Sequence, residues 1–183
     1  MDEQGTGRLE EARVLDQVSV GGAYYRLTLQ APGVAAAAQP GQFVHLRVPG
    51  LEAHVLRRPF SIYQVRKGDV DILYKTVGTG TRAMLALRAG DAVSLMGPLG
   101  RGFPLDRPGP PLLIGGGYGA APLRFLAERL PRRGIVFLGG RSEGDLLCRE
   151  EFRALHWEVQ EATEDGSAGR RGRVTDLLDA WLE

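Results

Sequence analysis

The sequence predicts a β-barrel followed by an α/β segment, and three observations predict it. Between residues 8 and 104 lie six short β-type runs separated by turn signals, the pattern of a small antiparallel barrel. A proline-rich stretch, Pro104 to Pro111, then interrupts the chain. After it, apolar strand-like runs alternate with helical patterns, which implies right-handed crossovers and a parallel sheet. The expected division is 1–104 for the barrel and 111–183 for a small α/β domain.

The elements follow in order. Glu10 to Val20 and Tyr24 to Gln30 read as strands joined at Gly21-Gly22. Gln42 to Val48 alternates Phe43, His45 and Arg47 against Val44, Leu46 and Val48, so one set faces inward. Pro59 to Val65 and Val70 to Val77 flank Lys67-Gly68-Asp69, a hairpin. Thr81 to Leu87 reads as a short helix, and Ala92 to Met96 as the sixth strand. The run Ala35 to Ala38, between Gly33 and Pro40, reads as a loop. In the second part Pro111 to Ile114, Gly134 to Leu138 and Trp157 to Ala162 read as strands. Ala120 to Leu130, Glu143 to Leu155 and Val174 to Leu182 read as helices. About three parallel strands fit, half of a doubly wound sheet.

Bulk properties bound the function. The 183 residues are 43% hydrophobic, enough for a substantial core. Lys+Arg (23) and Asp+Glu (22) nearly cancel, which argues against nucleic acid or a membrane surface as partner. Cys148 is the single cysteine, so no internal disulfide forms and no cysteine-ligated iron–sulfur cluster or metal site is expected. The first residues lack the apolar run of a signal peptide, and no segment approaches the ~20 apolar residues of a membrane span. The expected location is the cytoplasm.

Three segments carry chemistry. Arg57-Arg58-Pro59-Phe60-Ser61 sets a cation, a flat apolar surface and a hydroxyl close together on a strand. Arg58 suits a phosphate through forked, charge-assisted hydrogen bonds. Pro59 and Phe60 suit a planar ring, and Ser61 a ring nitrogen; an ordinary edge strand with a core phenylalanine is the competing reading. Gly78-Thr79-Gly80-Thr81 lets backbone approach a phosphate at the start of a helix, and Thr81 serves equally as an N-cap. Gly115-Gly116-Gly117-Tyr118-Gly119-Ala120 fits G-x-G-x-x-A between a strand and a helix, the dinucleotide pattern. The acidic residue expected at the end of the next strand is absent; Arg141 stands there, suited to a phosphate and not to a ribose hydroxyl's proton. Together the first two segments fit a flavin nucleotide, with a ring at one end and a pyrophosphate in the middle.

A different chemistry competes. Gly140-Arg141-Ser142-Glu143-Gly144 matches the nucleophile elbow of serine hydrolases, with Asp145 and His156 following in hydrolase order. Against it, Asp145 lies three residues beyond Ser142 on the same predicted helix, and no His-Gly-Gly oxyanion segment is present. His45 and His54 lack a third ligand at metal-binding spacing, Cys148 reads as a buried apolar filler, and Glu164-Asp165-Gly166 reads as an acidic turn. No metal site is expected.

In order and spacing these motifs resemble the ferredoxin–NADP reductase-like flavoproteins, and among them the electron-transfer subunits of dihydroorotate dehydrogenase. The likeness is carried by Pro40-Gly41-Gln42-Phe43, Arg57 to Ile62, Leu73-Tyr74-Lys75, Gly78 to Thr81, Gly97-Pro98-Leu99-Gly100, Gly115 to Leu123, Gly139 to Ser142 and Asp165 to Gly169. The resemblance implies an FAD-binding barrel and an NAD-binding α/β domain. It implies that Arg58 holds the FAD phosphate and Ser61 the flavin ring. Tyr74, Lys75 and Thr76 would meet the ribityl and pyrophosphate region, and Gly80 and Thr81 the pyrophosphate. Gly115, Gly116, Gly117 and Gly119 would face NAD(P)H. It further implies an oxidoreductase of pyrimidine biosynthesis that passes electrons from NAD(P)H through flavin to a dihydroorotate dehydrogenase catalytic subunit or another acceptor. The family's Cys-Gly-Pro strand and cysteine-rich cluster module have no counterpart in this sequence, so the second domain is expected to be shortened, and electrons would leave directly from the flavin. A flavin-binding or regulatory subunit that no longer reduces from nicotinamide is the alternative.

Overall fold

Alternating inward residues build the barrel. In the computed structural model, residues 7–49 and 56–183 are described. They fall into two compact units, Met1–Phe103 and Pro104–Glu183. In the first unit, six strands close into an antiparallel barrel: β1 (Arg8–Gly21), β2 (Tyr24–Gln30), β3 (Phe43–Arg47), β4 (Arg58–Arg66), β5 (Asp69–Lys75) and β6 (Ala92–Leu99). Their order around the wall is β1-β2-β5-β4-β3-β6. Val14, Leu27, Leu29, Val44, Leu46, Ile62, Ile72 and Leu95 fill the interior, each less than 2% exposed. Burying each of these aliphatic side chains contributes about 1.5–3 kcal/mol. Gly21 and Gly22, at φ +119° and +53°, make the tight β1–β2 turn that the glycine pair predicts.

One expected loop is helical. Pro32–Ala37 forms α1, with Val34 and Ala35 buried. Its first N–H groups find an acceptor 23 or 24 residues away, where Gly33 N and Val34 N donate to the Glu10 carboxylate at 3.1 and 2.9 Å. The predicted helix after β5 forms as α2 (Thr79–Ala83) and runs on into a 3₁₀ turn, Met84–Ala86.

The second unit packs helices on a parallel sheet. Four strands, β7 (Leu112–Gly116), β8 (Ile135–Gly140), β9 (Glu158–Thr163) and the two-residue β10 (Arg170–Arg171), make that sheet in the order β10-β9-β8-β7. Helix α3 (Ala120–Arg129) buries Ala120, Leu123, Phe125 and Leu126. The expected long helix 143–155 is broken. A 3₁₀ turn, Glu143–Asp145, is followed by Cys148 at φ +63°, and only Arg149–Ala154 is helical, as α4. Cys148 is buried as expected, but it precedes the helix instead of lying in it. Helix α5 (Val174–Leu182) lays Leu177 on Phe137 and Ala162. Among the described residues no helix is long and apolar enough to cross a membrane, and no group of three or more His, Cys, Asp or Glu is placed to hold a metal.

Candidate functional site

The β4–β5 ladder ends before either strand does. The β4–β5 register runs from Arg66↔Asp69 to Ile62↔Ile72, with an irregularity between Ile62 and Gln64. Toward its start, β4 is registered with β3, pairing Ser61 with Phe43, Phe60 with Val44, Pro59 with His45 and Arg58 with Leu46. On the other side Leu73, Tyr74 and Lys75 are registered with Arg26, Tyr25 and Tyr24 of β2. Here the two strands are not registered with each other, and each is held from its far side. The notch between them is bordered by the segments that the sequence singles out, Arg58 to Ser61 and Tyr74 to Thr76. A strand pair opened in this way leaves backbone donors and acceptors facing the gap.

Helix α2 meets Arg58 at this notch. Gly80 is buried, and a Cβ placed on it would lie 3.0 Å from Arg58 Nε. Glycine at this position therefore lets the first turn of α2 approach the guanidinium. Arg58 Nη1 donates to Leu56 O at 2.9 Å; among the described residues its other N–H groups meet no protein acceptor. The Thr81 hydroxyl is committed inside the turn, accepting from Val77 N (3.0 Å) and Gly78 N (3.1 Å) and donating to Gly78 O (3.2 Å). The N–H groups of Thr79, Gly80 and Thr81 belong to the first helical turn and have no carbonyl within the helix. A guanidinium beside uncommitted N–H groups is a donor set suited to phosphate oxygens.

Tyr74 is not a free contact residue. It is 2% exposed, and its hydroxyl donates to Gln17 Oε1 at 2.9 Å. Its ring stacks on Tyr25 with centroids 5.8 Å apart and meets the edge of Phe60 at 6.0 Å. Burial, with Tyr25 beside it, pushes its pKa up to about 12. Lys75, on the opposite face of the strand, donates to the Tyr24 hydroxyl at 2.9 Å and lies 4.6 Å from that ring's centroid. Thr76 is pinned to the β1–β2 turn by N–H and hydroxyl bonds to Ala23 O, at 2.9 and 3.2 Å. Ser61 is half-buried. The Phe43 and His45 rings pack at 5.4 Å, and His54 lies outside the described residues. No sequence motif marks Gln17 or Tyr25; only the register of β1, β2 and β5 brings them to Tyr74.

In the second unit the candidate residues gather where the parallel strands end. Of the four glycines at this turn, Gly115 serves packing, since a Cβ there would lie 2.9 Å from Leu123 Cδ1 and 3.2 Å from Ala120 Cα. Gly117 has φ +52°. At Gly119 a Cβ would meet no atom within 4 Å, which leaves its backbone open to a ligand. Arg141 is exposed, and its carbonyl accepts from Asp165 N at 3.1 Å. The loop after β9 ties this rim together. Ser167 Oγ accepts from Glu143 N (2.7 Å) and donates to Asp165 Oδ1 (2.7 Å), and Ser167 N donates to the same carboxylate (2.9 Å). Those two donors hold the Asp165 carboxyl below its ordinary range. Glu143 pairs with Arg149 at 2.9 Å, which raises the Arg149 pKa.

The hydrolase arrangement does not form. Ser142 follows the end of β8, whereas His156 precedes the start of the adjacent parallel strand β9. A six-residue strand separates the two ends of the sheet by about 20 Å. Ser142 itself has extended backbone, φ −142° and ψ 173°.

Comparison with known proteins gives a consistent picture. The oxidoreductase FAD-binding domain family matches residues 11–103. A protein of Desulforamulus reducens named dihydroorotate dehydrogenase B (NAD(+)), electron transfer subunit, is 41% identical over 179 residues, covering 94% of this chain and 68% of that protein. The protein of the same name from Geobacillus thermodenitrificans is 40% identical over 178 residues, covering 93% and 69%. The chain thus spans about two thirds of the length of these relatives. Among solved structures, the NADH-dependent reduced ferredoxin-NADP oxidoreductase superposes with a TM-score of 0.83 at 28% identity, over 94% of this chain and 63% of that one. The Amycolatopsis cytochrome P450 reductase GcoB superposes with a TM-score of 0.80 at 29% identity, over 97% and 59%.

Proposed function

The chain belongs to the oxidoreductase FAD-binding domain family, among the dihydroorotate dehydrogenase B electron transfer subunits, and we propose that it holds FAD in the β4–β5 notch and moves electrons through it. The observation that carries this reading is the end of the β4–β5 ladder short of Arg58, with Gly80 backed against that guanidinium.

The residues present fit the group. Arg58 and the N–H groups of Gly80 and Thr81 would bind the pyrophosphate. The backbone of Tyr74, Lys75 and Thr76 would line the ribityl chain, because their side chains are already engaged. Pro59, Phe60 and Ser61 would border the ring. When bound, FAD supplies the redox chemistry, accepting a hydride from a reduced nicotinamide and giving up electrons to an acceptor. The protein's work is to bind, orient and shield.

Residues 1–104 would be the flavin domain and 111–183 the nicotinamide domain. Gly115, Gly116, Gly117 and Gly119 would take the dinucleotide's backbone and Arg141 a phosphate, at the carboxyl ends of parallel strands where such ligands bind. The electron acceptor would be a dihydroorotate dehydrogenase catalytic subunit, as the names of the relatives indicate. A second reading is flavin binding without nicotinamide reduction.

Absorption spectroscopy separates these readings. Purified protein, or protein reconstituted with FAD, is expected to show the flavin bands, and NADH added without oxygen is expected to bleach them. Protein that cannot take up FAD refutes the proposal. Yellow protein that NADH leaves unbleached supports the second reading.

A further inference from the structure

The brace behind the notch has a second component, and its consequence rests on the FAD reading above. We propose that Gln17 is a positioning residue of the flavin cradle: by accepting the Tyr74 hydroxyl inside the barrel, it keeps the Tyr74 ring where it props the Arg58–Ser61 segment.

Four observations carry this. First, Arg58 to Ser61 are registered with β3, while the β4–β5 register ends at Ile62↔Ile72. Second, the Phe60–Tyr74 edge contact at 6.0 Å spans the place where that ladder has opened. It is therefore a brace from β5 to the segment bearing Arg58 and Ser61. Third, Tyr74 is 2% exposed and its hydroxyl donates to Gln17 Oε1 at 2.9 Å. Fourth, Gln17 sits on β1 opposite Leu27, two strands away from Tyr74, so the bond ties the notch across β2 to the next strand of the wall.

A buried hydroxyl stripped of its acceptor must find another or be destabilised. Without the Gln17 amide, the phenol would turn toward the side where the β4–β5 ladder is absent, which is the notch. Turning that way withdraws the ring from Phe60 and places a phenol where the cofactor would lie. The loss is thus caused by the hydroxyl as much as by the missing amide. Removing both polar groups leaves an apolar ring with no reason to turn, since replacing both partners by apolar groups of similar shape is close to neutral.

The test is a double-mutant cycle on the full chain freed of flavin, read by FAD titration and by thermal unfolding of the flavin-free protein. Gln17→Leu is expected to raise the FAD dissociation constant about 10-fold. With Tyr74→Phe measured as the other single variant, the double variant Gln17→Leu/Tyr74→Phe is expected to recover to within about 3-fold of wild type. Recovery in the double variant is the signature that simple loss of packing would not give. If Gln17→Leu fails to fold, Gln17→Met, which keeps length but offers only a weak thioether acceptor, carries the same expectation. A Gln17→Leu protein that binds FAD like wild type overturns the inference, and so does a double variant as weak as the single one. Wild-type protein that binds no FAD overturns the functional reading and this inference with it.

Discussion

The barrel and the α/β unit make their candidate sites by opposite means. The barrel opens a hydrogen-bonded ladder and furnishes the gap with side chains: Arg58 at the lip, Phe60 and Tyr74 behind it, Gln17 behind them. The α/β unit keeps its ladder complete to the strand ends and offers mostly backbone, on turns where glycine leaves room. The difference shows how each site fails. Removing a side chain damages the first, whereas adding one damages the second.

The largest effect is expected from Arg58→Ala. Hydrogen bonds from a charged group contribute about 1.5–3 kcal/mol, so FAD affinity should fall on the order of 10- to 100-fold. The thermal stability of the flavin-free protein should hardly change, because among the described residues Arg58 bonds only Leu56 O. A titration by flavin fluorescence checks this. Unchanged affinity would remove Arg58 from the cradle and with it the contrast between the two units.

The next effect isolates the brace by pH. The folded-state pKa of Tyr74 is pushed up to about 12 from an ordinary 10.0. A raised pKa means that the folded state keeps its proton longer than the unfolded chain. The stabilisation is fully present below pH 10 and is lost as pH rises through 12. Two pH units correspond to roughly 2–3 kcal/mol. The checkable quantity is a difference: Tyr74→Phe should lose less stability than wild type between pH 10 and 12. Equal slopes in chemical denaturation would show that Tyr74 ionises as freely as an exposed tyrosine.

How far the sequence foretells this contrast depends on the reach of each interaction. Strand β2 has the bounds that its sequence predicts, Tyr24 to Gln30, because a glycine turn and local alternation define it. Helix α1 looks like a loop in sequence because its capping carboxylate, Glu10, lies on another strand. The helix expected over 143–155 breaks at Cys148, whose positive φ no local rule assigns to cysteine. Strand β10 is two residues long and exists only by pairing with β9. Within the site, Arg58 and Gly80 are legible as motifs, and the structure brings them together. Tyr74 stands out only by its place in a motif, while its hydroxyl is committed to Gln17, a partner 57 residues away that registers across two strand pairs supply. Local chemistry is readable in the sequence; long-range bracing is not.

On the backbone-built side, Gly115→Ala should cost about 1–2 kcal/mol, because the new methyl meets Leu123 Cδ1 at 2.9 Å and the Ala120 backbone at 3.2 Å. Gly119→Ala should leave stability within about 0.5 kcal/mol, having open space around it. If that open backbone faces the dinucleotide, Gly119→Ala should still weaken NADH-dependent bleaching. Neither change should alter FAD affinity. A Gly119→Ala protein that is bleached at the wild-type rate would show that the gap after β7 is only a turn.

The smallest effect is expected at the loop tie. Ser167 joins the turn after β9 to the turn after β8 by accepting from Glu143 N, while its own hydroxyl and N–H bind Asp165. Ser167→Ala removes the first bond and one of the two donors to the carboxylate. The residues are exposed, so water takes over the freed groups and stability should scarcely change. What the serine supplies is a fixed distance between two loops, one of which carries Arg141. The apparent KM for NADH in flavin reduction should therefore rise a few-fold, with the limiting rate and the FAD affinity unchanged. Asp165, having lost a donor, should titrate closer to an ordinary carboxylate, which NMR can follow directly. A shifted Asp165 with an unchanged KM would separate the two loops' rigidity from nicotinamide binding, and of the two candidate sites would leave the barrel notch as the one whose geometry depends on its bracing.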